Sequence, residues 1–574
     1  MRKKVLIVGG VAGGASAAAR LRRLDERAEI IMFEREEHIS YANCGLPYYI
    51  GDVIKDRKKL IVQTVDAMES RFNIDVRTRS EVVSINPKGK TVLVHSPEGK
   101  YEEDYDYLVL SPGAKVRRPN IPGIDSDKVL ALRNIPDTDA IKNMVDKKHI
   151  ESAIVIGGGF IGVEIAENLR LKGLDVTIVE MFPHILSQFD DDMVTVLENE
   201  LINNGITLFL NNKVTQINDT ADNVEVALSD GEKLSADFVV LAAGVTPDTS
   251  FIEDSGIEFG PKGHIIVNEK MQTNIRDIYA VGDAIEVVDY VTGKKTAIPL
   301  AGPANKQGRI AADNIAGLNS TYKGTQGTSI LKVFELTAAS TGNNERALQS
   351  LNIPYHTIHV HPSSHASYYP GATQMTIKLI FDEQGTILGA QIIGYDGVDK
   401  RIDIIATVQR LRGTVDDLAE LELAYAPPYS SAKDPVNMAG FVAQNHLSRL
   451  SHLITWDEFE KLEEDYVLVD VRSEIEYRMG NFEGSVNIPV DDLRRRLHEL
   501  DKSKAIVVYC RVGIRGYIAE RILSQNGFKV YNITGGYISE TARHVNNAQH
   551  SSKDDNITEN IKVDPDTQTL EIEK

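Results

Sequence analysis

Short apolar runs stopped by glycine recur along the chain and set its pattern. Lys4–Val8 is one: Val5, Leu6, Ile7 and Val8 end at Gly9-Gly10, small and apolar residues then recur at helical spacing over Ala12–Leu24, and Glu29–Phe33 is apolar again. The pattern predicts strand, glycine turn, helix and strand. The same order returns at Ser152–Ile156, a glycine-rich turn at 157–162, an amphipathic stretch through Lys172, and Asp175–Val179. Two further apolar strands run into glycine turns, Tyr107-Leu-Val-Leu-Ser-Pro-Gly113 and Phe238-Val-Val-Leu-Ala-Ala-Gly244, and read as crossings between the two units. A mixed region follows, with strands at Met375–Phe381 and 387–393 and a helical stretch at 400–411. Polarity rises at 443–449, which reads as a linker. A fresh α/β pattern then places strands at 467–471, Ala505–Tyr509 and 529–533 around a helix at 516–525. From Asn546 the chain is polar, and a mobile tail is expected.

The chain has 574 residues, enough for three to four domains, and its 42% hydrophobic and 25% charged content is that of ordinary globular protein. A net charge of −20 would repel a phosphate backbone, so nucleic acid is excluded as an expected partner. Only Cys44 and Cys510 occur, too few for a disulfide framework and in keeping with a reducing compartment. The apolar start at Val5 is shorter than a signal core and no run reaches a membrane span, so a cytoplasmic location with no membrane partner is expected. No metal site is expected.

Gly157-Gly-Gly159-Phe-Ile-Gly162 lies between a strand and a helix, with Glu180 closing the next strand. Such glycines let a backbone approach a pyrophosphate at a helix N-terminus, and the acid can accept from ribose hydroxyls. Glu180 would repel a 2′-phosphate, so NADH is favoured, with NADPH as the alternative. The first unit, Gly9-Gly-Val11-Ala-Gly13-Gly14, has valine where a middle glycine is usual, but Glu34 ends its second strand. Far downstream, Thr273-Asn-Ile-Arg-Asp-Ile-Tyr-Ala-Val-Gly282-Asp283 resembles the FAD signature of the flavoprotein disulfide reductases. Together these imply FAD.

Ser40-Tyr-Ala-Asn43-Cys44-Gly-Leu-Pro-Tyr48 follows the FAD-type acid, with no second cysteine nearby. A single cysteine must pair with an external thiol, a persulfide or a sulfenic acid. The stretch resembles the single-cysteine branch that holds coenzyme A-disulfide reductases, NADH oxidases and NADH peroxidases, and its wording leans toward the first. Cationic residues gather around it: Arg20, Arg22 and Arg23, then Lys55, Arg57, Lys58 and Lys59, and Arg71, which suits a 3′-phospho-ADP group. The resemblance implies substrate contacts at Ser16, Arg20, Arg23, Ser40, Asn43, Asn305 and Lys433, with Arg71 added from the charge pattern. It extends FAD contacts to Gly10, Val11, Ala12, Gly13, Arg35, Asn43, Cys44, Gly113 and Pro299, and nicotinamide-dinucleotide contacts to Phe160 and Ile161. It also implies a Cys44 thiolate held low in pKa by the flavin site. Tyrosines of the partner subunit are implied beside that sulfur, matching Tyr425 and one of Tyr368 and Tyr369, with Tyr368 preferred.

In the last unit, Asp470-Val-Arg472, Glu483-Gly-Ser-Val-Asn-Ile-Pro489 and Cys510-Arg-Val-Gly-Ile-Arg-Gly516 follow in the order of a rhodanese domain, which they resemble. Backbone N–H groups curled at a helix N-terminus, with Arg511 and Arg515, would stabilise a Cys510 thiolate or persulfide. Ile514 and Gly516 flank Arg515 where rhodaneses often carry a hydroxyl, which weakens the expectation of a thiosulfate-like donor.

The expected fold is α/β. It comprises an FAD-binding Rossmann-like domain from 1–112 and 240–326, an NAD(H)-binding one at 113–239, a dimerisation domain at 327–440, a linker at 441–452, a rhodanese-like open sheet at 453–546 and a tail at 547–574. The whole resembles coenzyme A-disulfide reductase–rhodanese fusions, which implies a homodimer that reduces coenzyme A disulfide, coenzyme A persulfide or polysulfide. Two alternatives stand beside it: an NADH oxidase or peroxidase cycling through a Cys44 sulfenic acid, and a persulfide carrier or redox sensor.

Overall fold

The computed structural model describes residues 2–541 and two short paired strands, Ile561–Val563 and Leu570–Ile572. The expected tail otherwise lies outside the described residues. Each glycine-turn unit forms a five-stranded parallel sheet. The first is ordered Ile278–Ala280, Tyr107–Leu110, Lys4–Val8, Glu29–Phe33, Asp75–Arg77. The second is ordered Ile206–Phe209, Asp175–Val179, Ser152–Ile156, Phe238–Leu241, Val129–Ala131. Central strands are apolar on both faces because helices cover both, as parallel sheets require. In both sheets the order reverses beside the first strand, where a crevice opens at the strands' carboxyl ends. The strand Phe238–Leu241 belongs wholly to the second sheet, so the return to the first unit comes after residue 241 and not at 240.

A third sheet is antiparallel, ordered Ser329–Val333, Leu336–Gly342, Ile387–Gly394, Met375–Phe381, His356–Val360. Helix Pro435–Leu447 packs on it through Val436, Ala439 and Ala443. That helix replaces most of the expected linker. Gln444 and its polar neighbours lie beside a buried stripe at helical spacing, and only 448–452 remain as a connection. The last unit is a parallel sheet ordered Leu453–Ile454, Val530–Ile533, Ala505–Tyr509, Tyr466–Asp470, Val486–Asn487.

Three units meet at one buried ionic cluster. Lys378 Nζ, on the third sheet, lies 2.7 Å from Asp192 and 3.1 Å from Asp190, both at the start of helix Asp191–Asn203 of the second unit. His359 Nε2 reaches Asp192 at 2.8 Å, and the His359 N–H donates to Thr534 Oγ1 of the last unit, also at 2.8 Å. Thr534 leads into Tyr537, whose N–H donates to the Cys510 carbonyl at 2.7 Å. The docking contact therefore runs directly into the backbone of the second cysteine.

Candidate functional site

Both glycine turns are pinned by the acid that closes the following strand. Glu34 Oε2 accepts from Gly10 N–H at 2.8 Å, and Glu180 Oε2 accepts from Gly158 N–H at 2.6 Å. Each carboxylate takes a second backbone bond, from Glu36 (3.1 Å) and Phe182 (3.0 Å). Burial pushes the Glu34 carboxyl up, and these N–H donors work against it. Gly9 has φ of +95° and Gly157 +109°, and a Cβ at Gly14 or Gly162 would fall 1.9 Å from the carbonyl oxygen of Gly9 or Gly157. Only glycine permits that approach. Helices Ala12–Leu24 and Phe160–Leu171 begin without a side-chain cap, so their first N–H groups are available to an anion.

A cavity of about 170 Å³ at the first turn is lined by Gly9, Val11, Glu34, Arg35, Asn43 and Gly113. Tyr41, Arg133 and Asp248 also line it and were missed in the sequence, because nothing local marks them. Asn43 Oδ1 is buried with no hydrogen-bond partner, a spare acceptor on that wall. Asp283, on the Gly282 turn, lies 3.3 Å from Arg133, and burial pushes its carboxyl up. Ala12, Gly13 and Gly14 sit in the helix start behind the cavity, while Pro299 is exposed just before helix Ala301–Ile315 and is not among the lining residues. An uncapped helix start, a pinned glycine turn and a spare buried acceptor fit a dinucleotide such as FAD. The second turn fits the nicotinamide partner: Ile161 is exposed at its helix start, and the exposed Met181 and Phe182 follow Glu180 with no cation. His184 is drawn to Glu198 at 3.2 Å.

Cys44 lies in the 3₁₀ turn Asn43–Gly45, which runs into helix Leu46–Ile50. Leu46 and Ile50 are buried in the core of the second unit with Val163, Ala166 and Leu169. The cysteine is thereby clamped where the two dinucleotide units meet. Cys44 is exposed, yet the protein around its sulfur pushes the thiol up, and the Glu164 and Asp283 carboxylates push the same way. Among the described residues the protein alone supplies no cation to this thiol, so the low pKa expected of Cys44 rests on the flavin site.

Five of the expected substrate residues come together. Ser16, Arg20, Arg23, Ser40 and Asn305 line one recess of about 350 Å³, with Gln63 and Arg309. Helices Ala12–Leu24 and Ala301–Ile315 press so closely that a Cβ at Gly308 would fall 2.3 Å from the Gly13 carbonyl, and Ser16 Oγ donates to Asn305 Oδ1 at 2.6 Å. Arg20 is held by Asp313 at 2.7 Å, whereas Arg23 and Arg309 are exposed. Arg309 follows Asn305 by one helical turn, a signal the sequence carried. Ser40 has φ of +44°, a strained conformation for a non-glycine residue, held by Ser40 N–H to Gly10 O at 2.8 Å. Arg71 is exposed and Lys433 lies elsewhere; neither lines this recess.

Lys433 lines a mostly apolar cavity of about 450 Å³ between the third sheet's unit and the last one, facing Val512, Gly513, Ile514 and Tyr517 of the second cysteine loop. Tyr368, Tyr369 and Tyr425 are all exposed, and the Tyr369 ring also packs edge-on against His365 at 5.8 Å.

Cys510 is fully buried and its sulfur accepts from Gly513 N–H at 3.1 Å, at the start of helix Ile514–Gln525. The two expected cations differ. Arg515 faces the sulfur but forms two 2.7 Å bonds to Glu476, whose carboxylate keeps the guanidinium charged while offsetting its field. Arg511 is exposed, with its carbonyl accepting from Ile538 N–H at 3.1 Å. Glu476 escaped the sequence reading because its role exists only across the fold. Asp470 and Arg472 form a buried pair (2.6 Å), with the guanidinium 3.9 Å over the Tyr537 ring.

Residues 3–308 match the pyridine nucleotide-disulphide oxidoreductase family, 328–435 its dimerisation domain and 455–539 the rhodanese-like domain. The coenzyme A disulfide reductase of Staphylococcus haemolyticus is 38% identical over 447 residues, 77% of this chain and 100% of that one. The crystal structure of reduced Bacillus anthracis CoADR-RHD superposes with a TM-score of 0.93 at 50% identity, covering 95% of this chain and 99% of the other. An NAD-dependent persulfide reductase from A. fulgidus superposes with a TM-score of 0.88 at 37% identity, covering 93% and 99%.

Proposed function

The chain belongs to the pyridine nucleotide-disulphide oxidoreductase family and carries a C-terminal rhodanese-like domain, and from that premise we propose that it reduces coenzyme A disulfide or coenzyme A persulfide through Cys44. It is a pyridine nucleotide-dependent disulfide or persulfide reductase with a sulfurtransferase-type domain, using FAD and NAD(P)H. FAD, when bound, relays the electron pair from the nicotinamide to sulfur. For the disulfide the balance is one NADH and one proton consumed, two thiols and NAD⁺ formed.

The observation that carries this reading is the recess of Ser16, Arg20, Arg23, Ser40, Asn305 and Arg309. Ser40 ties that recess to the segment bearing Cys44, and exposed Arg23 and Arg309 can pair with phosphates. The Cys44 thiolate attacks the bound S–S bond, and the first thiol leaves. Tyr425 and Tyr368, contributed by the partner of a homodimer, donate toward the leaving sulfur. Cys510 holds sulfane sulfur as a persulfide, with the Gly513 N–H and Arg515 beside it. An oxidase reading draws on the water-forming NADH oxidase from Lactobacillus brevis, which superposes with a TM-score of 0.75 at 26% identity over 78% of this chain. The deciding experiment follows NADH oxidation with coenzyme A disulfide, coenzyme A persulfide, polysulfide, oxygen and peroxide in parallel. Highest kcat/KM for a coenzyme A substrate supports the proposal; highest for oxygen or peroxide overturns it.

A further inference from the structure

One carboxyl near Cys44 takes no part in the dinucleotide turns or in the arginine-lined recess. Glu164 lies on helix Phe160–Leu171, and its Oε1 accepts from the Tyr48 hydroxyl at 3.3 Å. Tyr48 is one helical turn beyond Cys44, on helix Leu46–Ile50. The two segments are locked together: a Cβ at Gly51 would fall 2.2 Å from Asn168 Oδ1, and Asn168 Nδ2 donates to the Glu164 carbonyl at 2.8 Å. The carboxyl is thus held at a fixed place relative to the sulfur. Among the described residues no lysine, arginine or histidine forms an ion pair with Glu164, and the group that works against the push on the Cys44 thiol is its own backbone N–H rather than a cation. The other charged neighbours are Glu167 on the same helix, itself facing Lys332, and Asp283, which Arg133 offsets.

We propose that Glu164, held by Tyr48, is a positioning residue for the sulfur chemistry, whose charge sets how readily the Cys44 thiol ionises. Carboxylate and thiolate are like charges in a partly desolvated space, so each form disfavours the other. Burial pushes the Glu164 carboxyl up to about 7, with Tyr48 opposing and Glu167 assisting, so its charge changes in the neutral range. Protonated Glu164 permits the thiolate; ionised Glu164 holds the proton on sulfur as pH rises.

This inference rests on Cys44 as the redox thiol, but its test reads the sulfur directly. The FAD-loaded enzyme is treated with iodoacetamide across neutral and alkaline pH, and Cys44 alkylation is followed by peptide mass spectrometry. Glu164→Gln, which keeps the shape and removes the charge, moves the profile to lower pH, with alkylation near neutrality faster by about tenfold. Tyr48→Phe removes the donor that favours the carboxylate and moves the profile the same way by less; Glu164→Asp stays near wild type. A Glu164→Gln profile superimposed on wild type overturns the inference. If that variant fails to fold, an unshifted Tyr48→Phe profile does so. Turnover that survives Cys44→Ser would instead overturn the proposed function and leave the labelling result standing.

Discussion

The hydroxyls of Tyr368 and Tyr425 lie 2.8 Å apart, although the two residues come from different loops of the third unit. Both rings are exposed, 74% and 46%, so a paired phenol is presented to whatever covers that surface. Tyr369 is comparably exposed, at 43%, with its ring edge-on against His365.

In the proposed mechanism the Tyr425 hydroxyl donates to the leaving thiolate. Tyr425→Phe is expected to lower kcat/KM for coenzyme A disulfide by about a hundredfold, within the range of general acid catalysis. Rapid-mixing reduction of the bound flavin by NADH should be unchanged. Tyr369→Phe should have little effect on either measurement.

The expected dinucleotide preference rests on Glu180, which is pinned to the second glycine turn and followed by Met181 and Phe182 rather than by a cation. The kcat/KM for NADH is expected to exceed that for NADPH, and Glu180→Ala to narrow the ratio. A clear NADPH preference in the wild type would mean that a distant cation compensates.

Cys510→Ser is expected to leave reduction of coenzyme A disulfide nearly intact and to abolish sulfur transfer from sulfane donors to cyanide. Cys510 lies in its own sheet, so its loss should not disturb the first cysteine. Because the Glu476 carboxylate offsets the charge of Arg515, thiosulfate should be a poorer donor than a coenzyme A persulfide. Comparing the two donors in the same assay checks this.

Strands such as Lys4–Val8 and Ala505–Tyr509 were legible in the sequence, because uninterrupted apolar runs ending at turns decide them locally. Helix Pro435–Leu447 was hidden by the polar residues on its open face, while the stripe that fixes it crosses the expected boundary. Ser16, Ser40 and Asn305 were grouped through family resemblance, and the fold brings them into one recess; spacing alone could not join positions so far apart in the chain. Glu164, Arg133 and Glu476 were not legible, since each matters only through a partner that the tertiary fold supplies. Lys433, expected among the substrate contacts, lines the cavity beside the second cysteine loop, a placement no local pattern marks.

The junction at Lys378 makes a statement about stability. Burial alone would raise the Asp192 carboxyl, but Lys378 and His359 overcome it and hold Asp192 well below the usual carboxylate range. A depressed carboxylate contributes stability above its unfolded pKa, near 3.9, and that contribution is lost as pH falls below it. Asp192→Asn is expected to destabilise the fold at neutral pH by removing one of three carboxylates that face buried Lys378, Asp190 and Glu345 remaining, with a smaller difference in acid. Thermal unfolding of both proteins at neutral and acid pH checks the size and the direction.

The most direct test of the account is NADH oxidation driven by coenzyme A disulfide in Cys44→Ser, with FAD content measured in the same preparation. Cys44 is one of only two cysteines, and the other is fully buried in a separate sheet. The account predicts full FAD occupancy and loss of disulfide-dependent turnover. Retained turnover at normal FAD content would contradict the single-cysteine mechanism.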